Sequence, residues 1–203
     1  MDRVAIKKEA RELTKTNKWN VWKPVLAVAL ISSIVAALIS IVGGEESVAG
    51  GIISVIFSLA IVPVSVGVFA YNLKLVRGEE FSLNDLKAYY PFYLKIFCIG
   101  ILTTLFVFLW SLLFIIPGII AGLSYAMTSF VFIDNTDLSA IETIKKSKEL
   151  MNGYKMDYFV FQLSFIGWNI LAMCTLGILY IWLFPYMTIA ETMYYDKLIK
   201  EKK

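Results

Sequence analysis

The side chains best suited to chemistry in the apolar parts of this sequence are uncharged. Gln162 and Asn169 are seven residues apart, so they share one face of a helix. Amides on such a face can bond neighbouring helices or line a polar cavity. Trp110, Trp168 and Tyr125 combine an apolar ring with a polar group in similar surroundings. We predict that these five side chains face an interior space or a ligand, with helix packing as the alternative for each.

The groups that most catalytic or ion-coupled sites need are missing from the same regions. The sequence has no histidine, and the centres of its long apolar runs have no Asp, Glu, Lys or Arg that could couple to a proton or ion. A metal site needs histidine or converging carboxylates, and a nucleophilic serine needs a base. Glu191 and Asp196 come after the last apolar run, where a carboxylate facing lysine is expected. We predict no catalytic residues, no cofactor and no metal, and we expect a protein that is not an enzyme.

The elements that must position these side chains are long apolar helices. The runs 24–44, 47–73, 96–133 and 158–190 contain no charged residue. A bilayer core takes about 20 residues per helix, so each of the last two runs is long enough for a helical hairpin. The pattern predicts an all-α polytopic membrane protein with six transmembrane helices arranged as three hairpins.

The positive charges predict the orientation of these helices. All 19 lysine and arginine residues fall in segments that lie on one side of this topology, and an excess of positive charge marks the cytoplasmic side. Both termini are therefore predicted to be cytoplasmic. The net charge of +3 is small and favours contact with anionic membrane lipids over binding to nucleic acid.

Each hairpin is preceded by a short amphipathic segment, predicted to be a helix along the inner membrane interface or a docking surface for a partner. Ser82 with Asp85, and Ser139 with Glu142, have the spacing of helix N-terminal caps. The predicted apolar faces are Ile6, Ala10 and Leu13 in the first segment, and Ile141, Ile144 and Met151 in the third. We predict one membrane domain, 1–203, built of three pseudo-repeats, 1–77, 78–133 and 134–203.

The chain from Phe106 onward carries short motifs in a characteristic order and spacing. They are Leu109-Trp110, 115–120 (IIPGII), Asp134-Asn135, 137–140 (DLSA), 151–153 (MNG), 163–168 (LSFIGW), 175–178 (TLGI) and Pro185-Tyr186. This stretch resembles the domain-of-unknown-function family 975, integral membrane proteins found mainly in Gram-positive bacteria. The resemblance implies a multi-helix, all-α membrane protein of the bacterial cytoplasmic membrane. It implies no activity and supplies no catalytic residues.

Two functions remain open from the sequence. The first is non-enzymatic binding of a lipid, a membrane-active peptide or another membrane protein, favoured by the lack of exposed domains and by the amphipathic segments. The second is a transporter or channel for a small neutral or amphiphilic solute. That alternative depends on the three hairpins, on Pro63 and Pro185, which are predicted to kink their helices, and on the face shared by Gln162 and Asn169.

Overall fold

A computed structural model describes residues 2–44 and 46–202, in which all regular structure is helical. The first part contains α1 (Arg3–Thr16), α2 (Lys18–Ile41), α3 (Val48–Ala60), α4 (Val62–Arg77) and two 3₁₀ turns, Leu83–Leu86 and Tyr90–Phe92. The second part contains α5 (Tyr93–Leu113), α6 (Ile115–Tyr125), α7 (Thr128–Asp134), α8 (Ala140–Leu150), α9 (Lys155–Leu163), α10 (Ile166–Cys174) and α11 (Tyr180–Lys202). The all-α class is confirmed.

Among the described residues, four helical stretches are long and apolar enough to cross a membrane. They are Lys18–Ile41, Val48–Arg77, Leu83–Leu113 and Ile115–Asp134, which correspond to the first two predicted hairpins. The third predicted hairpin is not among them. Its first arm is split between α9 and α10, and α11 continues from apolar into charged sequence. Six spans therefore remain a prediction, as does the division into three pseudo-repeats.

The predicted caps and amphipathic segments are present, with two differences. Ser139 and Glu142 form the predicted reciprocal capping box at the start of α8, and Ser82 caps the first 3₁₀ turn. The apolar stripe of α1 packs against the rest of the protein, with Ile6 fully covered. A helix along the membrane interface would instead turn this stripe towards lipid. Ile141, expected on the apolar face of α8, is 52% exposed, because that helix is covered on the face that carries Ile144.

The main core is aromatic and lies where α1, α4, α7, α9 and α11 meet. Phe130 of α7 stacks on Tyr195 of α11 with 4.9 Å between ring centroids. Tyr194 contacts Phe161 of α9 at 5.0 Å. The fully buried Tyr71 of α4 donates its hydroxyl to the carbonyl of Asn20 at 2.9 Å. These contacts join α11 to α7 and α9, and α4 to the start of α2.

Candidate functional site

An apolar groove with a cationic end lies between α1, α10 and α11. Its volume is about 400 Å³. Its lining includes Arg11, Lys15, Trp168, Trp182, Leu183 and Tyr186. The two tryptophans and Leu183 form an apolar wall, while both cations come from the exposed side of α1. The groove can therefore hold a molecule with an apolar body and an anionic end.

The position of α1 creates this groove. Ile6 and Ala10 anchor the helix in the core, which leaves its basic face beside α11. The hydroxyl of Tyr186 donates to the carbonyl of Lys7 at 3.3 Å. The ammonium of Lys7 donates to Ser164 Oγ at 3.0 Å and lies 5.0 Å from the ring centroid of Phe165. These contacts tie α1 across the junction between α9 and α10.

A pair of tryptophans relates the groove to the membrane. Trp182 meets Trp22 edge to face, with 5.6 Å between ring centroids. Trp22 and Lys23 lie in the first turns of α2, and an aromatic residue beside lysine is typical of the membrane interface. The groove therefore lies near the start of the first membrane-compatible helix.

The structure does not gather the five predicted site residues into one place. Trp168 lines the groove. The amide of Gln162 donates to the hydroxyl of Tyr158 at 2.6 Å. Asn169 is half-buried on α10, Trp110 is exposed on α5, and the ring of Tyr125 lies 6.2 Å from that of Phe106.

The two carboxylates of the last helix have different partners. Tyr158 donates its hydroxyl to Glu191 at 2.6 Å, so Glu191 is hydrogen-bonded to a tyrosine and not to the expected lysine. Asp196 accepts from Lys200 at 2.6 Å and from Arg77 Nε at 3.1 Å. The expectation of a carboxylate facing a cation therefore holds for Asp196 alone.

A second polar region surrounds the end of α4. Arg77 makes a two-pronged pair with Asp134, at 2.7 and 2.8 Å, in addition to its bond to Asp196. The hydroxyl of Tyr195 donates to the same Asp134 carboxylate at 2.9 Å. Burial raises the pKa of Tyr195, and the neighbouring Asp134 raises it further, so this hydroxyl remains a proton donor at neutral pH. A cavity of about 730 Å³ opens beside the cluster.

Sequence reasoning missed both the cationic end of the groove and this cluster. In the sequence, Arg11 and Lys15 fit the pattern of positive charge on one side of the membrane and the polar face of the first amphipathic segment. Arg77 is separated from Asp134 and Asp196 by 57 and 119 residues, a separation that no local motif spans. Among the described residues, no group of three or more histidine, cysteine, aspartate or glutamate side chains is arranged to hold a metal ion.

The fold defines a class: an all-helical protein with several helices fit for a membrane. Residues 112–202 match the family described as Protein of unknown function (DUF975), which confirms the resemblance for this part of the chain. No curated protein and no solved structure matches. The matched segment includes Trp168 and Trp182 of the groove, whereas Arg11 and Lys15 lie outside it.

Proposed function

We propose that this is a multi-pass protein of the bacterial cytoplasmic membrane that binds an anionic lipid and catalyses no reaction. The observation that carries the proposal is the groove in which Arg11 and Lys15 face an apolar wall containing Trp168 and Trp182. A lipid supplies both parts of the match, an anionic headgroup and apolar chains.

The arrangement in the membrane supports this choice. An even number of crossings, four or six, returns the chain to its starting side, so both termini share one side. The positive-inside rule makes that side cytoplasmic. The contact between Trp22 and Trp182 also supports a third hairpin that enters the inner leaflet and returns, because Trp182 would lie at the opposite face if α11 crossed fully. The groove then opens towards inner-leaflet headgroups.

The expected energies are adequate for selective retention. A basic side chain near an anionic membrane surface contributes about 1 kcal/mol, so Arg11 and Lys15 together favour an anionic headgroup by about 2 kcal/mol. Each buried methylene of an acyl chain adds about 0.8 kcal/mol. The cations therefore select the headgroup, while the apolar wall contributes affinity common to all lipids.

Native mass spectrometry of the protein released from mild detergent tests this proposal. Phosphatidylglycerol should be retained one-to-one and phosphatidylcholine much less. The variant Arg11→Gln with Lys15→Gln should weaken phosphatidylglycerol retention by about tenfold or more, since about 1.4 kcal/mol corresponds to a factor of ten. Replacing Lys8 and Lys18 with glutamine is the matched control, because both are exposed and lie outside the groove lining.

Three results would contradict the proposal. Equal retention of both lipids would show that Arg11 and Lys15 do not select an anionic headgroup. An equal loss in the control variant would reduce the effect to overall charge. A peptide or protein mass in place of lipid would assign the groove to a different occupant.

The alternative of a transporter or channel depends on the three predicted hairpins, on the helix-kinking prolines and on the face shared by Gln162 and Asn169. In the structure α9 ends at Leu163 and α10 begins at Ile166, and Gln162 already donates to Tyr158. These residues therefore add no observation in favour of transport, and lipid binding is the function that the geometry supports best.

A further inference from the structure

We propose that the cavity beside the end of α4 binds a phosphate-bearing small molecule from the cytoplasmic side. The cavity lies between α4, α7, α8 and α11, and more than half of the residues that line it are charged. It is lined by different residues from the lipid groove, so this inference does not depend on the proposed function.

The ion-paired cluster forms a fixed wall of the cavity. The guanidinium of Arg77 is engaged by both Asp134 and Asp196, and Lys200 also pairs with Asp196. These charges are already compensated inside the protein. They hold α4, α7 and α11 together and are not the groups that would bind a ligand.

Two further lysines line the cavity without a carboxylate partner among the described residues, although Lys202 also lies 5.5 Å from the ring centroid of Tyr154. Lys146 donates to the side-chain oxygen of Asn135 at 2.7 Å, and Lys202 donates to the carbonyl of Glu149 at 2.7 Å. Both acceptors are neutral, and neither ammonium forms an ion pair among residues 2–44 and 46–202. Four cationic side chains face the cavity against three carboxylates, the third being Glu79.

The chemistry of these two groups points to a phosphate. Lysine binds phosphate as a compact point charge, and bonds between charged partners are stronger than neutral ones. An incoming oxyanion would gain two ammonium donors that are now bonded to neutral oxygens. The cavity volume of about 730 Å³ falls within the range of small-molecule sites. Its wall also includes Leu150 and Ile199, so there is room for more than the phosphate group.

Isothermal titration calorimetry of the full chain in detergent, in phosphate-free buffer, tests the inference with inorganic phosphate and pyrophosphate as probes. Pyrophosphate should bind one-to-one. Because hydrogen bonds to charged groups are stronger than neutral ones, Lys146→Gln with Lys202→Gln should weaken binding by at least about tenfold. Lys145→Gln with Lys148→Gln removes the same charge from exposed positions of α8 outside the cavity lining and should change affinity less than about twofold.

A second arm identifies the source of the phosphate. Adding phosphatidylglycerol to the micelles should leave pyrophosphate binding unchanged if the natural ligand is soluble. Competition by this lipid, lost in the Lys146/Lys202 variant, would retain the oxyanion site but assign it to a lipid headgroup. The inference is overturned if neither probe binds saturably, or if the control variant loses as much affinity as the cavity variant. Lys146→Arg, which keeps the charge, should retain most of the binding and guards against a loss caused by misfolding.

Discussion

Replacing Arg77 with methionine tests how far one side chain holds the cytoplasmic end of the molecule together. Arg77 bonds Asp134 through two nitrogens and Asp196 through a third. The exposed fractions of the three side chains are 24%, 20% and 9%. Methionine has a similar length but no charge, so two largely covered carboxylates would be left without their common cation.

The expected loss of stability follows from these contacts. Breaking a buried ion pair by removing one partner costs about 3–5 kcal/mol, whereas an exposed pair contributes about 0–1 kcal/mol. Arg77 is about a quarter exposed, and both carboxylates keep another donor, Tyr195 or Lys200. We therefore expect Arg77→Met to lower the free energy of unfolding by about 3 kcal/mol, towards the lower end of the buried range.

The loss can be measured by reversible unfolding in mixed micelles, followed by far-ultraviolet circular dichroism. Adding Asp134→Asn and Asp196→Asn to Arg77→Met should recover at least half of the lost stability, because the uncompensated charges are then gone. Lys148→Met, at an exposed position of α8, should change stability by less than about 0.5 kcal/mol. A loss below 1 kcal/mol for Arg77→Met, or no recovery in the triple variant, would refute the reasoning.

Two further predictions concern packing and topology. Gly67→Ala would place a methyl group 2.6 Å from the Leu86 backbone and should destabilise the protein by about 1–3 kcal/mol in the same unfolding assay, whereas Gly100→Ala, where nothing lies within 4 Å, should not destabilise it. A cysteine placed at Leu176, in a chain lacking its two native cysteines, should resist a membrane-impermeant maleimide in intact and in permeabilised cells and react once detergent dissolves the membrane, while one at Val48 should react from outside.

The labelling result discriminates between two arrangements of the third hairpin. Six complete spans put the turn at Leu176 outside, next to the turn that precedes α3. The inner-leaflet hairpin proposed from the packing of Trp182 on Trp22 instead puts the turn at Leu176 inside the bilayer, on the cytoplasmic side of its centre. Leu176 is 94% exposed, so its accessibility depends on the membrane and not on protein contacts. Labelling from outside would restore the six-span prediction and contradict the inner-leaflet hairpin.

The parts of the fold that were predicted correctly depend on local signals. Long charge-free runs predict apolar helices because any break would expose backbone groups to lipid. Ser139 and Glu142 predict a cap because both partners lie within one helical turn. The sequence is less informative about which face a helix buries, as the exposure of Ile141 shows. That choice depends on neighbours that are remote in sequence.

The candidate sites depend almost entirely on such remote neighbours. The groove combines Arg11 with Trp182, and the charged cluster combines Arg77 with Asp196. In the sequence, each of these cations is one of many near a membrane boundary and fits the positive-inside pattern. Only the position of α11 distinguishes them from the rest. The large amphipathic ring of Trp168 is a local signal, and this side chain lies in the groove lining. That it faces a ligand stays a prediction.

The division of α11 into two halves explains why the last predicted span differs from the first four. Up to Ala190 the helix is apolar, and its first turns supply Trp182 and Leu183 to the groove. Beyond that point it carries Asp196 and Lys200, which need partners. Arg77, the last residue of α4, is the partner of Asp196. The charged half of α11 must therefore lie beside the end of α4. Helix α1 packs against α11 and enters the same core through Ile6. This packing also brings Arg11 and Lys15 to the groove. Core formation and assembly of the proposed lipid site are therefore the same structural event.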